Sequence, residues 1–488
     1  MSSTSLTRTR LGVAATLLLA AAAACSKSSV SATSSATTSP SATATPATYG
    51  VAYLPDGGNG GGFRGIQFVH FEDTSGNLLP APSNSATPPA VTFSAPVGPL
   101  AFAKDASVAV AALNDGTGFT QMQGIFGVST ANLVPAGLTY LTSVPPSPTA
   151  APTATAGATA APTSTPEADA VVSDVRSIAI FGSSTAAVAL LQGNPAGLLG
   201  VSSLTQVPPL FSGFYSFAAA GAVATPAPGA HQFIATAAVA SGTTDTVGNA
   251  ILGNALVRGS DLFALQITVV NSGYGFRIVA EDAGLGVNPV AAGQRGSGAM
   301  AFSPTDPTRA LIAQAPGVND VTLVTGLPTK ITRTATITLP SRPHSVAIAT
   351  GGTMAVVGAD NGYYVIGGIN TTAPTLLVPT SPGIYGPTGT ASSTNTPSYV
   401  GADGATHNLA NITSVAFSGD GKYLVLLGSL TPNSSGGGTG GTVVALPFNQ
   451  TAGAPATPTP SATTTPPQSF TQNNFYAPAV DQDLLVVR

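Results

Sequence analysis

Ser414 to Gly428 reads SVAFSGDGKYLVLLG. Two short apolar runs, Val415-Ala416-Phe417 and Tyr423-Leu424-Val425-Leu426-Leu427, flank Gly419-Asp420-Gly421-Lys422. Gly and Asp tolerate the positive φ of a tight hairpin turn, so the stretch predicts strand, turn, strand. The pattern returns along the chain with altered turn chemistry. Gly98-Pro99-Leu100-Ala101-Phe102 leads through Lys104-Asp105-Ala106 into Val108-Ala109-Val110-Ala111. Ser177 to Phe181 leads through Gly182-Ser183-Ser184 into Ala186 to Leu191, and Ala299 to Pro304 leads into Ala310 to Ala313. His344 to Ile348 leads through Gly351-Gly352 into Met354 to Val357. Tyr215 to Ala218 reads as the start of a poorer copy with Gln232 to Thr236 as its partner. Ala477 to Val480, then Asp481-Gln482-Asp483, then Leu484 to Val487, reads as the last copy.

The third apolar position of the copies falls at Phe102, Ile180, Phe217, Phe302, Ile348 and Phe417, with shortest intervals of 37 and 46 residues. A copy continues with a third strand, such as Tyr363 to Ile366 or Thr442 to Leu446, and a fourth, such as Thr375 to Val378. A four-stranded repeat of about 40 to 50 residues points to a β-propeller. Tyr49 to Tyr53 and Ile66 to Phe71 also read as strands, separated by the Gly57 to Gly62 run. The expected fold is therefore all-β, a propeller of seven four-stranded blades spanning 49–488. Ala477 to Arg488 would supply inner strands to outer strands from 49–95, closing the ring by pairing the two termini and removing exposed sheet edges. Asp261 to Val270 and Gly275 to Ala280, inside Ser241 to Pro289, leave room for one further blade.

Arg342-Pro343-His344-Ser345-Val346-Ala347-Ile348 and Ser414 to Leu427 resemble the repeats of the YVTN and WD40-like β-propeller superfamily. Those repeats run apolar strand, Ser-Pro-Asp-Gly-Lys turn, apolar strand, third strand. The resemblance is strongest over 298–450 and thin over 205–290. The chain has no tryptophan, so the Trp-Asp dipeptide of true WD40 repeats is absent.

Charged residues make up 7% of the chain, against roughly 25% in an ordinary soluble domain. A net charge of −4 provides no basic field, so nucleic acid is not an expected partner. The single cysteine excludes an internal disulfide and a cysteine-rich zinc site.

That cysteine belongs to an address. Arg8 and Arg10 precede the apolar Leu11 to Ala24, which reads as a secretory signal over 1–24 and is too short for a comfortable transmembrane span. Cys25 follows Ala22-Ala23-Ala24 directly, which resembles the lipobox of bacterial lipoproteins. The resemblance implies that Cys25 becomes an acylated N-terminus. Lipid chains, at about 0.8 kcal/mol per buried methylene, would then hold the protein on the envelope. Ser26 after the cysteine favours the outer membrane in a two-membrane bacterium by the family's sorting rule. Residues 25–48 are almost entirely Ser, Thr, Ala and Pro beyond Lys27, the composition of a disordered tether. Similar segments at 145–166 and 454–467 read as inserts extruded from the propeller, since the blade pattern resumes after each.

Candidate chemistry is sparse. The four histidines, His70, His231, His344 and His407, form no HxxxH or HExxH pair. His344, at the start of an inner strand, is the candidate ligand or proton donor at the mouth of a central channel; the plain alternative is a strand-start residue after Pro343. Asp420, Asn114-Asp115-Gly116 and Asp360-Asn361-Gly362 read as turn residues. Asp481 and Asp483 fit one strand face or the turn before Leu484. Gly60 to Gly65 satisfies GxGxxG but precedes a β-run, so no helix N-terminus awaits a pyrophosphate. No P-loop lysine, calcium loop or Gly-x-Ser-x-Gly elbow occurs. In Tyr363-Tyr364, core packing accounts for at least one ring. The sequons at Asn370, Asn411, Asn433 and Asn449 carry no weight in a bacterium.

The first functional expectation is a non-catalytic, lipid-anchored, monomeric propeller. It would bind a protein or glycan partner or scaffold the envelope, with no metal, cofactor or catalytic residue. The second is an enzyme resembling lactonase-type YVTN propellers, with polar residues converging on the central channel; scarce His, Lys and Glu (Glu72, Glu167 and Glu281) count against it. A surface-coat component is the third.

Overall fold

The computed structural model describes strands and turns within residues 48–487, most continuously over 242–270, 273–287, 297–381 and 406–430. The signal, the tether with Cys25, both Pro/Thr inserts and Ala477 to Asp483 lie outside the described residues. The strands belong to one compact unit, Pro46–Arg488. They form seven antiparallel sheets among the described residues.

The first sheet contains β1 (Thr48–Tyr53), β2 (Gly65–Glu72), β3 (Leu78–Pro80) and β4 (Ala90–Thr92), the last two both on β2. The second contains β5 (Val97–Phe102), β6 (Val108–Leu113) and β7 (Phe119–Gln123). The third contains β8 (Val175–Phe181), β9 (Ala186–Leu191), β10 (Gly197–Ser202) and β11 (Leu210–Ser216). The fourth contains β12 (Phe233–Ala238), β13 (Ile251–Arg258), β14 (Leu262–Val270) and β15 (Gly273–Asp282). The fifth contains β16 (Met300–Phe302), β17 (Arg309–Ala313), β18 (Asp320–Thr325) and β19 (Thr332–Thr338). The sixth contains β20 (Pro343–Ile348), β21 (Met354–Ala359), β22 (Gly362–Gly367), β23 (Thr375–Ser381) and β24 (Ile384–Pro387). The seventh contains β25 (Ser398–Val400), β26 (Thr406–Phe417), β27 (Tyr423–Leu430) and β28 (Gly441–Pro447). Finally β29 (Leu484–Val487) returns to the first sheet and pairs antiparallel with β1, Val51 opposite Val486. This is the propeller architecture that the repeat predicts.

Four-stranded sheets are the rule with exceptions. The first has five strands with β29, the second has three among the described residues, and the sixth gains β24 as a fifth. Contacts run from first strand to first strand, β5 to β8, β12, β16, β20, β26 and β29 in turn, and from β29 to β5.

Three expectations are corrected. Tyr215 does not open a copy: it lies in β11, the outer strand of the third sheet. Phe233 to Thr236 is not its partner but part of β12, the first strand of the fourth sheet, so the 37-residue interval is not a repeat period. Asp261 to Val270 and Gly275 to Ala280 fall in β14 and β15 of that same sheet and make no extra blade. The physical reason is common to all three. Outer strands are also half-covered here, since β11 meets β15 of the next sheet so closely that a Cβ on Gly213 would lie 2.3 Å from the Tyr274 carbonyl oxygen. Apolar content therefore does not separate outer from inner strands.

From the second sheet to the seventh, each packs face to face on the next, which explains the unbroken apolar runs. All six residues of β9, β21 and β22 are buried. Alternation sends their side chains into two different cores rather than to core and solvent. Tyr363 joins Val356 and Leu426 between the sixth and seventh sheets, while Tyr364 joins Leu311 and Val357 between the fifth and sixth. Both rings of the pair are therefore core.

The stretch that opened the reading forms the predicted hairpin. Ser418 N–H bonds the Tyr423 carbonyl, Gly421 N–H bonds the Ser418 carbonyl, and Gly421 takes φ +70°. The sixth sheet builds the same five-residue loop from Ala349 to Thr353, with Gly352 at φ +67°.

Candidate functional site

β20 and β21 pair with Pro343 opposite Ala359 and Ser345 opposite Gly358. His344 is thus an extra residue on β20, a bulge, the device by which a sheet re-aims one side chain. Similar slips fall between Val175 and Ser177 and between Ile412 and Ser414. The matching positions there hold Arg176 and Thr413.

His344 is 4% exposed, and its Nε2 lies 2.5 Å from Asp360 Oδ1. Arg342 Nη2 donates to the same oxygen at 3.2 Å. Burial pushes the Asp360 carboxyl up, but the His344 hydrogen bond and the His344 and Arg342 charges outweigh it and hold the group below its ordinary 3.8. Asp360 is therefore ionised at neutral pH and can only accept, so Nε2 carries the proton and donates. The other ring nitrogen, His344 Nδ1, is buried and has no hydrogen-bond partner. The adjacent Ser345 Oγ is likewise buried and unpartnered.

The surroundings fix this arrangement through the backbone. Asp360 N–H bonds the Arg342 carbonyl at 3.0 Å, and Asn411 N–H bonds the Asp360 carbonyl at 2.8 Å. Ser297 Oγ donates to the His344 carbonyl at 2.7 Å, and Gln314 Nε2 donates to the Pro343 carbonyl at 2.6 Å. Gln314 and Asn411 both have φ +51°, two of the three non-glycine residues in that region among the described residues. Such conformations cost of order 1–3 kcal/mol and persist where the surroundings over-determine them. Here they flank one His–Asp contact on either side.

The sequence singled out His344 but took Asp360 only as a turn residue and passed over Arg342 and Gln314. Asp360 is in fact both, joining β21 to β22 while its carboxylate reaches back to β20. The available signal was hairpin arithmetic. Counting outward from the Ala349 to Thr353 loop sets Asp360 opposite Pro343, between Arg342 and His344, and the bulge then moves it to Arg342.

The other candidates sit elsewhere. Asp420 holds its turn, accepting from Ser418 Oγ at 2.7 Å and Lys422 N–H at 3.2 Å, and also accepts Tyr49 Oη–H at 2.7 Å from β1. The Tyr49 and Tyr423 rings lie 5.0 Å apart, tilted at 60° to each other. His70 lies in β2 opposite Gly50, and His407 lies in β26 opposite Tyr399. His231, Asp481, Asp483 and Asn114 to Gly116 lie outside the described residues. Among the described residues no three of His, Cys, Asp and Glu gather in a metal-holding group, and no helix is long and apolar enough to cross a membrane.

No protein-family model matches the chain, and no curated protein matches it. Solved structures do. The Pseudomonas aeruginosa periplasmic gluconolactonase is similar at 10% identity and TM-score 0.46, covering 91% of this chain and 99% of its own. A putative 6-phosphogluconolactonase from Bacteroides uniformis is similar at 10% identity and TM-score 0.44, covering 83% and 96%. A protein from Lactobacillus plantarum is similar at 10% identity and TM-score 0.45, covering 91% and 100%.

Proposed function

We propose that the chain is an extracytoplasmic, lipid-anchored propeller hydrolase acting on lactones or related cyclic esters. In this reading His344 is the general base, Asp360 orients it, and Arg342 faces the developing oxyanion. The single observation that carries the reading is the His344–Asp360 pair, with Nε2 committed to the carboxylate and Nδ1 left without a partner. It moves the hydrolytic reading ahead of binding or scaffolding. Arg342, His344 and Asp360, three charged or titratable groups in a chain with 7% charged residues, converge on one bulge. Cys25 serves as the lipid attachment point, and β29 closes the ring.

The chemistry balances without a cofactor. Nδ1 takes a proton from water as the water oxygen bonds the lactone carbonyl carbon. The tetrahedral oxyanion is stabilised by the Arg342 guanidinium. The ring C–O bond then breaks, and the leaving alkoxide takes the proton back from His344. Asp360 keeps the imidazole in one tautomer and stabilises the imidazolium, the role that a carboxylate plays beside any histidine base. Nδ1 is covered in the free protein, so substrate binding includes a displacement that opens it.

The test is a pH-stat screen of the full chain against gluconolactone, an acyclic ester and a phosphodiester. Selective lactone hydrolysis that falls at least about 100-fold in His344→Gln and Asp360→Asn supports the reading, the scale of general-base loss. Equal rates in wild type and both variants sink it.

A further inference from the structure

Arg258, at the end of β13, is the largest fully buried side chain among the described residues. Its guanidinium has five N–H donors, and five backbone carbonyls accept from it. Nε bonds Leu285 at 2.9 Å, Nη1 bonds Ser297 at 3.3 Å and Ala313, and Nη2 bonds Gly286 and Gln314 at 2.8 Å each. Two of these residues, Ser297 and Gln314, are the ones whose side chains hold the peptide carbonyls of His344 and Pro343.

We propose that Arg258 is a positioning residue for His344, acting across two sheet boundaries through Ser297 and Gln314. The route is continuous and short. The guanidinium on the fourth sheet grips the backbone of Ser297, before β16, and Gln314, just after β17, at the edge of the fifth. Their side chains grip the backbone of Pro343 and His344 on the sixth. A bulged residue has lost its own ladder partner, so an outside donor must fix the direction of its peptide. Ser297 and Gln314 are those donors, and both are small parts of one clamp. Gln314 holds φ +51°, a conformation that persists where the surroundings over-determine it. Arg258 is part of those surroundings, with Nη2 on the Gln314 carbonyl and Nη1 on the carbonyl of Ala313 before it. A lysine has three donors on a single atom and no planar fork, so it cannot span five carbonyls. The consequence for catalysis rests on the hydrolytic reading; the consequence for the imidazole does not.

The experiment is long-range ¹H–¹⁵N spectroscopy of the full chain labelled at histidine, with His344 assigned through His344→Gln. Ser297→Ala removes one hydroxyl, and Arg258→Lys keeps charge and length. Both are expected to move the His344 ring-nitrogen signals from their wild-type positions while His70, His231 and His407 stay in place. In the lactone assay kcat should fall on the order of 10- to 100-fold with KM nearly unchanged, the scale of a misdirected catalytic group. His344 signals unmoved in Ser297→Ala overturn the proposal whatever Arg258→Lys does, and so do unmoved signals in a folded Arg258→Lys. A shift in Ser297→Ala with Arg258→Lys unfolded counts in its favour, since the clamp then holds both fold and imidazole. A chain with no lactone hydrolysis fails the hydrolytic reading and leaves the ring nitrogens to decide this one.

Discussion

Deleting Leu484 to Arg488 removes the strand that joins the end of the chain to its beginning. Four residues of β29 stand opposite four of β1, from Gly50–Val487 to Tyr53–Leu484. A ladder of that length carries about four hydrogen bonds, and each contributes about 1 kcal/mol net, so the pairing alone amounts to roughly 4 kcal/mol. Domains are stable by about 5–15 kcal/mol in all. The loss is therefore about a quarter or more of a typical total before any apolar contact is counted. The deletion also strips β1 of its neighbour beside Tyr49 and Val51, both 0% exposed, and takes away the strand that touches both β26 and β5. Urea unfolding followed by far-ultraviolet circular dichroism measures the effect, and tyrosine fluorescence serves as a second probe in a chain without tryptophan. Leu485→Pro is the point version, since proline cannot donate to the ladder opposite Ala52. A peptide spanning residues 476–488 should restore part of the midpoint when added in trans. A deletion variant with the wild-type midpoint and slope would refute closure by the C-terminus.

Other expectations are smaller or more local. Gly358→Ala puts a Cβ 2.6 Å from Ser345 Oγ and 2.8 Å from the Ile412 carbonyl. Backbone cannot step aside cheaply, so the cost should be about 1–3 kcal/mol in urea. Tyr49→Phe removes the hydroxyl donor to Asp420, which keeps its two turn donors, so about 1–2 kcal/mol should be lost. Asp420 is held below its ordinary 3.8: burial raises it, but hydrogen bonds from Ser418, Tyr49 and Lys422 and the Lys422 charge prevail. A carboxyl depressed on folding stabilises fully above its unfolded value, and the contribution is lost as pH falls through the folded value. Asp420→Asn should accordingly be destabilised at pH 6 and show a shallower loss of stability between pH 4 and pH 2 in acid titrations. Cys25→Ala should release the protein from membranes, read by fractionation; retention in the detergent phase would sink the anchor.

The hairpin at Ser414 to Gly428 and the one at His344 to Val357 were legible because a tight loop leaves a local signature. Gly421 and Gly352 at positive φ mark both. The outer strands were not legible to the same degree. Leu210–Ser216 and Phe233–Ala238 are both short apolar runs, and which of them is inner depends on pairing partners far away in sequence. At the site the sequence showed one half of a pair. His344 announces itself by scarcity in a chain with four histidines. Asp360 is hidden behind a turn role that it also fills, and Arg258 and Gln314 act through backbone carbonyls, which no side-chain motif encodes.

The hydrolytic site is tested most directly by a crystal structure of the full chain with a lactam, the non-hydrolysable counterpart of the lactone. A working His344 base predicts the lactam ring at the β20 bulge. Its carbonyl oxygen would face the Arg342 guanidinium, and a water would bridge its carbonyl carbon and His344 Nδ1. A lactam seated elsewhere, with Nδ1 still covered by packed side chains, would contradict it and return His344 and Asp360 to a purely structural contact within the sixth sheet.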